Sequence, residues 1–324
     1  MPAISARAPA KTILFGEHAV VYGYAAIAVP IRSIGMHISV RAKPDEKSGF
    51  LKIINSDNEK ENFFSTLPTH NSTHIALQTI FDNLAIHQPP AMEIRISTTI
   101  PSAAGLGSSA AFAVSLTRAV SQFLGFRLDT GKINEIAFQI EKHTHGTPSG
   151  IDNTVIAYDQ PVFFQINKAH KFLKIRRPVH MVIADSGLRT LTKKVVAEVR
   201  EKREREQETV EKLFGEINDI AVKAKILLCD GILPSLGRLM NRNHQLLVDL
   251  GVSCPELDRL VEAALRSGAL GSKMCGGGQG GIITALVDEQ SIDKVMQGLN
   301  KAGASTCFSS ELGKENNGTR DHFS

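Results

Sequence analysis

The 324-residue sequence has no tryptophan and only three tyrosines. Its 37 Lys and Arg against 33 Asp and Glu leave a net charge of +4, with no dense basic tract outside a mixed-sign helix. A nucleic-acid surface needs a basic stripe, usually with stacking aromatics, so that class is excluded. The four cysteines, Cys229, Cys254, Cys275 and Cys307, form no C-x-x-C pair, which predicts free thiols in a reducing, cytoplasmic setting. No apolar run approaches the roughly 18 residues of a membrane span. The opening stretch MPAISARAPAKTILF lacks the apolar core of about 7–15 residues that a secretory signal carries. Neither a membrane nor a nucleic acid is therefore an expected partner. The pairs His70/His74 and His143/His145 have zinc-like spacing, but neither has the further ligands that zinc needs.

What is present is an ordinary globular composition, 42% hydrophobic and 22% charged, long enough for one large domain or two ordinary ones. MHISVRA, FLKII and MEIRISTTI alternate apolar and polar residues as half-buried strands do. Residues 1–100 therefore read as mostly β, with a short helix near HIALQTIFDNLAI. From Ser108 the spacing turns helical, ending at Gly125, and a second helix follows with Thr130 as its expected cap. A turn, a short helix and a strand follow in HGTPSGIDNTVIAYDQPVFFQI, then the strand HMVIADSG. The stretch from Thr192 to Gly231 is expected to be helical, as two helices or as one broken near Gly215. Two more helices, a glycine-rich turn, a strand, a helix and a final strand complete the chain. No internal repeat is visible, and the strands look largely antiparallel. The expectation is a two-domain α+β fold with domains 1–178 and 179–311 and a mobile tail at 312–324.

The stretch PSAAGLGSSAAFAV invites a phosphate. Gly105 and Gly107 let the backbone approach closely, and the helix from Ser108 offers unpaired N–H groups and a positive dipole end. Yet the lysine of a G-x-x-x-x-G-K-[ST] loop is absent, so the charge must come from elsewhere. Three other stretches are possible partners. GTPSGIDN carries Asp152 in a turn, and Glu141 precedes it by eleven residues near a helix end. A carboxylate with a hydroxyl is the donor type a hard cation such as Mg²⁺ takes, which Glu141 with Ser109 would supply. APAKTILFGEHAVVYG gathers Lys11, Glu17 and His18 at a strand–turn boundary. KMCGGGQGG has five glycines in nine positions before a strand. Such a stretch is either a flexible hairpin or a backbone that passes close to another loop or a ligand.

Together, PAKTILFGEHAVVYG, PSAAGLGSSAA and KMCGGGQGG resemble the three motifs of the GHMP kinases. GEHAVVYG, HGTPSGIDN and LGRLMNRNHQLLVDLGVSCPELDRLV are further similar to the mevalonate kinase family within that superfamily, and the likeness runs from about residue 6 to residue 308. The resemblance implies an N-terminal domain like ribosomal protein S5 domain 2, a C-terminal ferredoxin-like α+β domain, and a site in the cleft between them. It implies ATP-dependent phosphorylation of the C5 hydroxyl of (R)-mevalonate in isoprenoid biosynthesis, with Mg²⁺. A homodimer is among the expected assemblies, since the family often forms dimers.

Carried over residue by residue, the resemblance makes Asp152 and Lys11 catalytic. Lys11 is the charge missing from the loop. Either Asp152 takes the hydroxyl proton, or Lys11 eases its loss while Asp152 positions Lys11. Ser109 and Glu141 fall on the Mg²⁺ ligands. Pro101, Ala103, Ala104, Gly105, Leu106, Gly107, Ser108 and Ser109 hold the ATP phosphates. Glu17, His18, Ser149, Asp152 and Thr192 line the substrate side, and Gly276, Gly277 and Gly278 form the third motif. That motif departs from the family's usual form, which has Thr or Ser at Cys275 and Ala at Gly277. A family arginine near the substrate is also unmatched, since Arg189 and Lys193 are out of register. The alternatives are another GHMP kinase (of phosphomevalonate or a sugar), a same-fold decarboxylase, and a ligand sensor that has lost catalysis. Lys11 and Glu141 favour a kinase over a decarboxylase. The retained set Lys11, Ser109, Glu141 and Asp152 argues against a sensor.

Overall fold

The computed structural model describes residues 3–145 and 148–313. Its contacts divide the chain into two compact units that no single cut separates. One holds residues 1–12 and 30–162, the other 13–29 and 163–324. The sequence reading placed one boundary after residue 178. The difference arises because two long strands, β1 (Ile4–Phe15) and β2 (Ala26–Ala42), each contribute to both units.

In the first unit β1 and β2 pair, and β3 (Leu51–Asn55), β4 (Lys60–Phe63) and β5 (Met92–Thr98) extend the sheet in the order β4-β3-β5-β2. Met36, Ile38 and Val40 are buried while His37 and Arg41 are exposed, the two-residue period of a strand with one face in a core. Register follows that face, with Ile38 opposite Ile96 and Val40 opposite Ile94 in an antiparallel pair. Four helices complete the unit: α1 (Ser72–Asn83), α2 (Ser108–Phe123), α3 (Thr130–His145) and α4 (Ile151–Tyr158). They pack on one another, α2 against both α3 and α4. Asn71 caps α1 by accepting from the Thr73 and His74 N–H groups. At α3 the capping side chain is Asp129 rather than Thr130. Its carboxylate accepts from the Lys132 N–H at 2.7 Å, and Thr130 is already the first helical residue.

The short strands β6 (Val162–Phe164) and β7 (Lys171–Phe172) continue the first sheet beyond β2, and all but Val162 fall in the second unit. Its antiparallel sheet is built from β8 (Val179–Asp185), β9 (Gly271–Cys275), β10 (Ile282–Val287) and β11 (Thr306–Leu312), in the order β11-β8-β10-β9. Its helices are α5 (Thr192–Arg205), α6 (Gln207–Asp230), α7 (Leu233–Leu250), α8 (Pro255–Arg266) and α9 (Ile292–Lys301). The break in the long helical stretch falls at Glu206, not near Gly215. Three basic residues close the last turn of α5, where they complement the helix dipole, and Arg203 reaches across the break to Glu211. Gly215 lies within α6, with open space where a Cβ would stand. Helices α8 and α9 lie against the sheet, and α7 runs along β9 at its edge. Gly237 and Gly271 make that approach possible, since a Cβ on either would meet the other segment's backbone within 2.3 Å. Two α7 side chains then satisfy the edge strand: Asn241 accepts from the Ser272 N–H at 2.9 Å and His244 from the Met274 N–H at 3.3 Å. Of the tail expected at 312–324, Leu312 ends β11 and is buried, and residues 314–324 lie outside the described residues. Among the described residues no helix is long and apolar enough to cross a membrane.

Candidate active site

The anticipated residues gather in two groups, each inside one unit. In the first unit the loop 101–107 leads into α2 through backbone that few side chains tolerate. Gly105 and Gly107 have φ of 80° and 76°, and Ala103 has 53°. Ala104 and Leu106 are buried, fixing the loop to its own core. Gly107 is the N-cap and has no side chain to bond the first N–H groups of α2. Uncapped N–H groups at a helix start, with no acid in the first turn, suit an anion.

The lysine absent from the loop's sequence is present beside it in space. The Lys11 backbone N–H donates to the Leu106 carbonyl at 3.0 Å. Its stem crosses Gly107, where a Cβ would fall 2.8 Å from Lys11 Cγ. The stem ends on Asp152, with Nζ 2.9 Å from Oδ1. The pair is asymmetric, since the lysine side chain is 5% exposed and the aspartate 35%. Asp152 lies in the first turn of α4, entered through Gly150 at φ 88°, and a carboxylate there is favoured by the helix dipole. The α4 backbone is tied down around it: Thr154 donates to the Gly150 carbonyl at 2.7 Å and Asn153 to Asn134 at 2.7 Å. Ser149 is adjacent, its hydroxyl accepting from the Ile151 N–H at 3.4 Å. Gly146 and Thr147 of the same stretch lie outside the described residues.

Ser109 and Glu141 also meet, although they come from different helices. The Ser109 hydroxyl donates to Glu141 Oε1 at 2.5 Å, and Glu141 is buried at 5% exposure. The two contribute hard oxygen donors, one of them anionic, at the open start of α2. That fits a small divalent cation that takes few protein ligands and completes its shell with phosphate oxygens and water. Among the described residues no cluster of three His, Cys, Asp or Glu is placed to hold a metal by itself.

In the second unit Glu17 and His18 sit in the bend after β1. His18 has φ 61° and ψ −45°, an unfavourable region for a residue with a side chain. Its Nε2 lies 2.9 Å from the Gly277 carbonyl, so Nε2 carries the proton and Nδ1 is the acceptor. Burial lowers the His18 pKa to about 4, with the Lys273 charge acting in the same direction and the Gly277 bond opposing both. The imidazole is therefore neutral near pH 7. The third glycine stretch is the hairpin turn between β9 and β10. It is also a close approach: a Cβ at Gly277 would lie 3.0 Å from Thr192 Oγ1, and one at Gly278 2.0 Å from the Val252 carbonyl oxygen. The small residue at 277, where the family usually has Ala, therefore lets the turn pass Thr192, itself exposed at the start of α5. Cys275 is buried and its thiol lies 3.3 Å from Thr284 Oγ1. Arg189 is held by Asp185 through two 2.7 Å bonds.

Sequence reasoning passed over Lys273. It is fully buried and pairs with Glu17. The available signal was a lysine among small and apolar residues in GSKMC, at the head of the third glycine stretch KMCGGGQGG.

The shift at His18 has a measurable consequence. Between the unfolded value near 6.5 and the folded value of about 4, the unfolded chain binds the proton and the folded chain does not, so stability rises with pH there. The contribution, about 3 kcal/mol, is complete above pH 6.5 and is lost as pH falls toward 4. His18→Gln, which keeps a donor for Gly277, is expected to remove close to one proton from the pH dependence of the urea-unfolding free energy in that window. His244, also lowered by burial, would supply the part that remains. An unchanged slope would contradict the assignment.

Known proteins resemble both halves. The GHMP kinases N terminal domain matches residues 71–160 and the GHMP kinases C terminal domain matches residues 224–305. A mevalonate kinase of Thermococcus gammatolerans is 34% identical, covering 96% of this chain and 97% of its own. That of Pyrococcus horikoshii is 36% identical, covering 87% and 88%. The chain belongs to the mevalonate kinase family. The crystal structure of L. major mevalonate kinase in complex with R-mevalonate superposes with a TM-score of 0.82 at 27% identity, covering 95% of each chain. Membership in the mevalonate kinase family accounts for the α+β fold of the GHMP kinases and makes the chain an enzyme.

Proposed function

We propose that this chain transfers the γ-phosphoryl group of ATP to the C5 hydroxyl of (R)-mevalonate, giving 5-phosphomevalonate and ADP. The carrying observation is the Lys11–Asp152 pair, in which only the carboxylate is substantially exposed. An alcohol must lose its proton as its oxygen bonds to phosphorus, and the group that takes the proton must be reachable. Asp152 is reachable and is held at a fixed place by Lys11 and by the start of α4. The C5 oxygen forms its bond to the γ-phosphorus, the bond from that phosphorus to the β-bridging oxygen breaks, and the hydroxyl proton passes to Asp152. Lys11 remains protonated, holding the carboxylate and supplying the positive charge that the glycine loop lacks. The loop 101–108 and the start of α2 receive the phosphates through backbone N–H groups. Mg²⁺, held by Ser109 and Glu141, would supply charge neutralisation of the phosphates when bound. Glu17, His18, Ser149 and Thr192 are assigned to the mevalonate side, with neutral His18 a fixed polar wall rather than a cation. Four free thiols accord with work in the reducing cytoplasm.

A coupled ADP-release assay with mevalonate, phosphomevalonate and galactose as acceptors tests this reading. Turnover is expected with mevalonate alone, abolished by EDTA and restored by Mg²⁺. Turnover with phosphomevalonate or galactose in its place, or release of CO₂, would overturn it.

A further inference from the structure

We propose that Lys273 is a positioning residue of the reaction, fixing the Glu17–His18 bend against the third glycine turn. The inference rests on reading Glu17 and His18 as substrate-side residues. Lys273 lies in the middle of β9, opposite Thr284 of β10, with none of its surface exposed. Its ammonium donates to Glu17, to the Met274 carbonyl at 2.7 Å and toward Cys275 Sγ at 3.6 Å. An ammonium has three protons, and each has an acceptor.

A buried ion pair is a poor source of stability, because apolar replacements of similar volume are often neutral or stabilising. Its value here is geometric. The backbone on either side of Lys273 is anchored by α7, through Asn241 at Ser272 and His244 at Met274. His244 is itself placed by Asp258, 3.3 Å from Nε2. From this anchored strand, Lys273 grips Glu17. Four residues further on, the Gly277 carbonyl takes the His18 Nε2–H. The bend is thus tied at two consecutive residues to two points on one hairpin. That is how a non-glycine residue is kept at φ 61°, a conformation that persists only when its surroundings over-determine it. Without Lys273, Glu17 would lose the ammonium that ties it to β9, and the bend could relax and carry His18 with it.

The test uses the full chain and three variants: Lys273→Met, Lys273→Arg and the pair Glu17→Gln/Lys273→Met, which removes both charges of the ion pair together. In the folded variants lacking the ammonium, kcat/KM for mevalonate is expected to fall at least about tenfold, with KM for ATP moving much less. Lys273→Arg is expected to recover part of the loss. A second readout needs no substrate: imidazole ¹⁵N resonances of His18 are expected to show slow exchange at Nε2–H in the native chain and fast exchange in Lys273→Met and the paired variant. A paired variant that lowers only the melting temperature, with native kcat/KM and a protected Nε2–H, would make Lys273 merely structural and overturn the proposal. Absence of mevalonate turnover in the native chain would instead overturn the substrate reading, leaving the ¹⁵N result to decide on Lys273.

Discussion

Asp152→Asn is expected to lower kcat by about 10³-fold while leaving KM for ATP near its native value. Asparagine has the shape of the carboxylate but cannot take the hydroxyl proton, and it holds the Lys11 ammonium more weakly. Both losses act in the transition state, so they fall on kcat. A factor of 10³ corresponds to about 4 kcal/mol of barrier, within reach of one acid–base group and one displaced charge. The carboxylate side chain is 35% exposed and sits at the end of a helix otherwise tied down by Thr154 and Asn153, so the fold should survive. Steady-state kinetics on protein with a native circular dichroism spectrum checks this. A kcat within tenfold of native would remove Asp152 as proton acceptor and shift the task to Lys11.

Several of the candidate residues can be grouped from the sequence. The loop's lack of a lysine posed a definite question, and the motif resemblance pointed to Lys11. In the structure the Lys11 stem lies across Gly107 with its head on Asp152. Ser109 and Glu141 were also paired on chemical grounds, and they meet at 2.5 Å. Lys273 was not legible. Its partner Glu17 is 256 positions away, and although Lys273 opens the stretch KMCGGGQGG, nothing local shows what its charge pairs with. The interleaving of the two units was hidden for a related reason. Hydrophobic alternation reports that β1 and β2 are strands, not that each continues from one core into another. Cap and break errors were local. Asp129 competed with Thr130 for the same helix start, and Gly215 looked like a breaker although a helix accepts a lone glycine for about 1 kcal/mol. The actual break at Glu206 is stabilised by the Arg203–Glu211 contact across it, which composition does not show.

Gly107→Ala tests whether the loop and the lysine work as one device. At φ 76° and ψ 29°, any L side chain carries a backbone cost of about 1–2 kcal/mol. A new Cβ would also stand 2.8 Å from Lys11 Cγ, 3.0 Å from Lys11 Cε and 3.1 Å from Ile156 Cδ1. A lysine stem usually swings aside, but this one is fastened at both ends, by its N–H to Leu106 and by Nζ to Asp152. Relief of the clash must therefore move the ammonium or the loop, and either disturbs the site. A misplacement of about 1 Å can cost 10²-fold, so kcat/KM is expected to fall by about that factor. Gly125→Ala separates strain from displacement. Gly125 has φ 86° and nothing within 4 Å of its missing Cβ, so the substitution carries a similar backbone cost without touching Lys11. It should lower the unfolding free energy by a similar amount and leave turnover native. Equal loss of activity in both variants would mean that general destabilisation is the cause. Native activity in Gly107→Ala would mean that the stem has room to move, and that the close fit of loop to lysine is not what orients Asp152.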